Sequence, residues 1–170
     1  MTPTGAAVLY FDTVTLSNFA LASRTDLLTE RYGTRACVTA EVLGEVTEGV
    51  AVGYPPLRAI IDAVEKGAFA ASGGLTAEER EVFATLLRVL SPGEASCIAC
   101  AKLRSGIVVT DDRTARSCCR EHDVAFTGTI GNLKACCVDG TLSPDEADAT
   151  LGTMIEAGFF SPVARISDLL

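Results

Sequence analysis

The sequence predicts an α/β chain with a three-layer α/β/α architecture built on a central parallel sheet. Three observations carry that prediction. Short runs rich in β-branched residues alternate with stretches of helical periodicity. Those runs are apolar throughout, as strands covered on both faces are. Several of them end abruptly in a carboxylate, at the strand end where ligands of open α/β sheets collect. The clearest case is Gly106-Ile-Val-Val-Thr-Asp-Asp-Arg-Thr-Ala-Arg116, a strand emptying into Asp111 and Asp112 and then a basic helical segment.

Taken in order, Ala6-Ala-Val-Leu-Tyr-Phe-Asp12 is the first strand, followed by Leu16, Phe19, Leu21 and the Leu27-Leu28 pair at roughly helical spacing. A second strand, Ala36-Cys-Val-Thr39, leads into a helix with Val42, Leu43 and Val46 inward, on which Glu41 and Glu45 share a face. Tyr54-Pro-Pro-Leu57 breaks the chain and starts a helix over 57–66. Thr76-Ala-Glu-Glu79 is a capping box that opens a helix through Leu90, with Val82, Phe83, Leu86, Leu87 and Leu90 inward and Glu78, Glu79, Arg80, Glu81 and Arg88 on a solvated face. Ser91-Pro-Gly-Glu94 is a cleaner start signal, with Glu94 at the capping-box position. Beyond the Asp111-Asp112 strand come a helix over 113–122, a short strand over 124–127, and Gly128-Thr-Ile-Gly131 at a strand-to-helix junction, where exposed amides can meet phosphate. Ser143-Pro-Asp-Glu146 opens a last helix that Gly158 stops, and Phe159, Phe160, Val163 and Ile166 are expected to pack a C-terminal tail.

The 170 residues suit a single domain over 1–170, large enough to bury a core without a disulfide or metal staple. No apolar run reaches the roughly 18 residues of a membrane span. The Met1-Thr-Pro-Thr-Gly5 start lacks a basic leader segment, so a soluble, cytoplasmic protein is expected. Seven cysteines raise the question of a zinc site at Cys97-x-x-Cys100, Cys118-Cys119 and Cys136-Cys137. The odd count, the unrepeated pair and the single His122 favour small buried hydrophobes in a reducing compartment. A formal charge of −8 argues against tight non-specific nucleic-acid binding, but it does not exclude a nuclease whose carboxylates are offset by divalent cations.

Acids recur at element ends expected to converge: Asp12, Glu45 or Glu41, Glu94, and Asp111 with Asp112. Oxygen ligands without His or Cys suit Mg²⁺ or Mn²⁺. Two such ions can cleave a phosphodiester without a side-chain nucleophile. In the order Leu9-Tyr-Phe-Asp12-Thr13, Val42-x-x-Glu45, Gly93-Glu94-Ala, Val109-Thr-Asp-Asp-Arg-x-Ala-Arg116 and Gly128-Thr-Ile-Gly131, the chain resembles the PIN-domain family of ribonucleases, in particular a VapC-like branch. The resemblance spans nearly the whole chain. It implies a metal-dependent endoribonuclease, often the toxin of a toxin–antitoxin pair, with Asp12, Glu45, Glu94 and Asp112 (Asp111 as rival) as the acids. Of these Asp12, Glu94 and Asp112 or Asp111 would hold metal, and Thr13, Arg113, Arg116 and Thr129 are candidates to touch substrate phosphate. RNA is then the substrate, with an antitoxin or other basic protein as partner, docking most naturally over 54–90, and a homodimer as the assembly. The alternative is a PIN-like nucleic-acid-binding or regulatory module with little catalysis of its own.

Overall fold

The computed structural model describes residues 6–170; the leader reading at residues 1–5 lies outside the described residues. Strand β1 (Leu9–Phe11) is followed by helices α1 (Thr13–Leu21) and α2 (Thr25–Tyr32). Then come β2 (Ala36–Val38), α3 (Ala40–Ala51), a 3₁₀ turn at Pro55–Leu57, α4 (Arg58–Glu65) and β3 (Ala70–Ala71). After α5 (Ala77–Leu86) and α6 (Pro92–Arg104), the chain alternates β4 (Ile107–Val109), α7 (Arg113–Glu121), β5 (Ala125–Thr127) and α8 (Thr129–Val138) before closing with α9 (Pro144–Glu156). The sheet has five parallel strands in the order β3-β2-β1-β4-β5. This is the three-layer α/β/α arrangement expected from the alternating pattern.

The central pair β1 and β4 is in register Leu9↔Ile107 to Phe11↔Val109, and the Asp12 amide donates to the Val109 carbonyl at 3.0 Å. That register sets Asp12 beside Thr110 and Asp111 at the carboxyl end of the sheet. Phe11, Val109 and Val38 are fully covered, as central strands sandwiched by helices require.

Five expectations are corrected. The helical run after β1 is two helices, because Ser23 takes a left-handed conformation (φ 57°) that ends α1. Helix α5 stops at Leu86; its last turn tightens into i→i+3 bonds such as Val89 N–H to Leu86 O, before the extended Ser91 cap that precedes Pro92. Leu87 is consequently exposed. Glu79 does not lie on a solvated face: it is 1% exposed, bound by both nitrogens of the Arg104 fork at 2.8 and 2.9 Å. In the tail, Ile166 is buried but Phe160 is 95% exposed. The two-residue β3 had no sequence signal, since it exists only by pairing with β2. All seven cysteines are free thiols, six of them buried, with burial pushing Cys100 up to about 12. No helix is long and apolar enough to cross a membrane among the described residues.

Candidate active site

Three of the acids that the sequence singled out, Asp12, Glu94 and Asp112, sit where helices begin at the carboxyl end of the sheet, and the local reason is the same for these three. A helix start leaves amide donors without partners and carries partial positive charge, so a carboxylate there is a natural cap. Asp12 caps α1, its Oδ1 accepting from the Thr15 amide at 2.8 Å. Asp112 caps α7, accepting from the Ala115 amide at 2.7 Å. Glu94 closes the capping box of α6 with Ser91.

Glu45 reaches the same helix from α3. Its Oε2 accepts from the Gly93 amide at 3.0 Å, and its Oε1 accepts from the Thr13 hydroxyl at 2.5 Å. Gly93 is required by this approach, because a Cβ there would occupy the space of the Glu45 carboxylate. Glu41, one turn earlier on α3, makes no hydrogen bond to this cluster among the described residues, so the geometry brings Glu45 rather than Glu41 to Thr13 and Gly93.

Asp111 is committed differently. Its two oxygens accept from the Thr129 amide (2.9 Å) and hydroxyl (2.5 Å), Asn18 approaches at 3.4 Å, and Arg116 stands 3.7 Å away. Gly128 must lack a side chain, since a Cβ would overlap both Asp111 and Arg116. Thr129 is fully buried with its amide and hydroxyl spent on Asp111, which leaves neither turned to a substrate. Arg116 also donates to the Thr110 carbonyl at 2.9 Å, while Arg113 is exposed at the first turn of α7. Sequence reasoning missed Asn18, and it quoted Gly93 and Thr110 only as motif positions without the contacts they make here. Thr15 and Asn18 follow Asp12 at three-residue steps along α1, both buried, and polar residues on an inward face were the available signal.

Electrostatics separates the acids further. Asp12 is 1% exposed and its Oδ2 has no hydrogen-bond partner. Burial raises its pKa to about 6 despite the nearby Thr110 and Thr15 donors, with Asp111 adding to the rise. Burial likewise raises Glu94 to about 7, and the charges of Asp112, Asp12 and Glu45 push it the same way. The cluster therefore holds more negative charge than its helix amides neutralise. A hard divalent cation fits it by donor type, by charge and by the orphaned Oδ2 of Asp12. Among the described residues no three His, Cys, Asp or Glu side chains stand close enough together to form a ligand set as they are, with Glu94 and Asp112 drawn to their caps.

One consequence concerns pH. Both acids have folded pKa values above their ordinary 3.8 and 4.5, so the folded chain holds protons that the unfolded chain has released. Stability is therefore expected to fall as pH rises from about 4 to 7. At about 1.4 kcal/mol per pKa unit, Asp12 alone accounts for about 3 kcal/mol. The depressed Glu79 and Asp148, both at about 2, act below about pH 4.5, where they make stability rise with pH. Thermal melts in chelator should give a lower Tm at pH 8 than at pH 5.5; a flat profile would show that these acids are not strained by burial.

A family model described as a PIN domain matches residues 8–170. No curated protein matches the chain. The match runs from β1 to the C-terminus and so takes in the parallel sheet and every acid described above, which makes this chain a member of the PIN-domain family.

Proposed function

We propose that the chain is a metal-dependent endoribonuclease that cleaves RNA phosphodiester bonds at the carboxylate cluster of Asp12, Glu45, Glu94 and Asp112. The PIN fold is a nuclease-type fold, and the observation that carries the finer reading is the buried, unpartnered Oδ2 of Asp12 in a carboxylate whose charge is felt by Glu94. A buried carboxylate without a partner is costly, and retaining one beside Glu94 and Asp112 is explained by a cation that they share. Mg²⁺ or Mn²⁺ held there supplies a polarised water and neutralises charge building on the phosphate.

The chain's own residues have distinct parts in this scheme. Asp12 and Asp112 would supply hard oxygen ligands from neighbouring strand ends, and Glu94, whose contact with the Ser91 amide is a weak 3.4 Å, would complete the set. Glu45 is held by Thr13 and Gly93 and positions the rim of the site. Asp111 orders the Gly128–Gly131 loop through Thr129, so it is a positioning residue in this reading and Asp112 the ligand.

The second reading is a nucleic-acid-binding module with little catalysis, favoured by the capping bonds that occupy Asp112 and Glu94. Incubating a mixed single-stranded RNA with the purified protein in Mn²⁺, in Mg²⁺ and in chelator separates the two. Cleavage with metal and none in chelator is expected. Binding without cleavage under every metal condition would replace the enzyme with the module.

A further inference from the structure

Beside the carboxylate cluster, a cleft of about 690 Å³ opens between α7, the edge strand β5, the start of α8 and the segment 159–162. Among the described residues Asp111 is the only acid lining it, and its charge is already met by Thr129 and Arg116. Arg113, Arg116 and Arg120 face the cleft at positions i, i+3 and i+7 of α7, which one helix surface presents together. In a chain of 14 basic and 22 acidic residues this is a local reversal of sign.

The arginines meet aromatic rings. The Arg116 and Arg120 guanidiniums lie 5.2 and 5.0 Å from the centre of the Phe126 ring. Arg113 and Arg120 form no ion pair and no side-chain hydrogen bond among the described residues, so their charge is open to a ligand. Phe160 also lines the cleft and is 95% exposed, so its ring is free to meet a ligand.

We propose that this cleft binds the unpaired stretch of a nucleic-acid strand flanking the scissile phosphodiester, with phosphates on Arg113 and Arg120 and a base stacked on Phe160. Cations along a groove beside exposed aromatic faces are what single strands require. Continuity supports the assignment: Arg113 follows Asp112 directly in the chain, and Asp111, which precedes Asp112, also lines the cleft. A duplex keeps its base faces stacked on each other and leaves Phe160 without a partner. An acidic peptide without aromatic side chains would satisfy the arginines but gives no flat face for the exposed ring. The inference deepens the nuclease reading, on which it rests for the choice of polymer.

The test is binding rather than turnover. Anisotropy of a labelled ten-nucleotide single-stranded RNA is measured in chelator over a range of salt, for wild type, Arg113→Ala/Arg120→Ala and Phe160→Ala, with folding checked by circular dichroism. These side chains are at the surface, so the variants are expected to fold. The double arginine variant should bind at least about tenfold more weakly and lower the log–log salt slope by about 1.4, at about 0.7 per phosphate contact. Phe160→Ala should weaken binding by about tenfold with the slope unchanged. The duplex form should compete poorly. Absence of binding by wild type, unchanged affinity in both variants, or equal competition by polyglutamate would each overturn the assignment. Binding lost in these variants while wild type fails to cleave in Mn²⁺ would uphold the cleft and remove the nuclease.

Discussion

Asp12→Asn is expected to abolish metal-dependent RNA cleavage while making the metal-free protein more stable at pH 8. The two halves have one cause. Asp12 is buried with Oδ2 unpartnered, and burial raises its pKa to about 6, so at pH 8 the fold carries a charge that its surroundings do not neutralise. Asparagine keeps the Oδ1 acceptor that caps α1 through the Thr15 amide and removes that charge. A gain of up to about 3 kcal/mol in chelator follows from the pKa difference, and the fall in Tm between pH 5.5 and 8 should shrink. Activity should drop by more than about a hundredfold, since even outer partners of a metal ligand cost 10- to 100-fold. Mn²⁺ should raise the wild-type Tm at pH 8 and leave the variant's unchanged. Retention of activity within tenfold of wild type would take Asp12 out of the site. A loss of stability in chelator would mean that the buried charge is already compensated. Stability given up for function in this way is common where a fold must hold a site ready.

Arg104→Ala is expected to be the most damaging change to an ion pair in the described residues, lowering stability by about 2–4 kcal/mol. Arg104, near the end of α6, grips Glu79 with two nitrogens and donates a third bond to the Ser72 carbonyl at 2.8 Å. Glu79 also accepts from the Thr76 amide and so closes the capping box of α5. One side chain thus ties together the start of α5, the end of α6 and the exit from β3. The Arg104 hydrogen bonds hold the Glu79 carboxyl down at about 2. The pair's contribution is therefore present above about pH 4.5 and is lost as pH falls toward 2. Much of the cover over Glu79 is Arg104 itself, so its removal lets water reach the carboxylate and keeps the loss below that of a deep core pair. Urea denaturation at pH 7 measures it. Arg104→Lys should recover only part, because an ammonium cannot reproduce the fork. A loss under about 0.5 kcal/mol would show an ordinary surface pair.

The glutamate at 79 illustrates where sequence reading stops. Thr76 and Glu79 were legible as a capping box, because a cap is a contact between residues three apart. That the same carboxylate is buried depends on Arg104, 25 residues away, and periodicity put it among solvated charges. The end of α5 was misplaced for a related reason: an apolar pattern continues to Leu90, but the geometry of the Ser91-Pro92 start imposes its own turn.

By itself, the sequence determined the alternation of strands and helices, the parallel sheet, the carboxylates at strand ends and the helix starts that hold them. These follow from side-chain period, apolar runs and caps, all of which act over a few residues. Tertiary structure alone decided how each acid is used. Glu45 rather than Glu41 meets Thr13 and Gly93 because α3 packs against α6, bringing together residues 48 apart in the chain. Asp111 is turned to Thr129 and Asn18, 18 and 93 residues away, while its neighbour Asp112 caps α7. Adjacent residues have the same local pattern, and only contacts between distant elements can give one carboxylate a partner and leave another's oxygen without one.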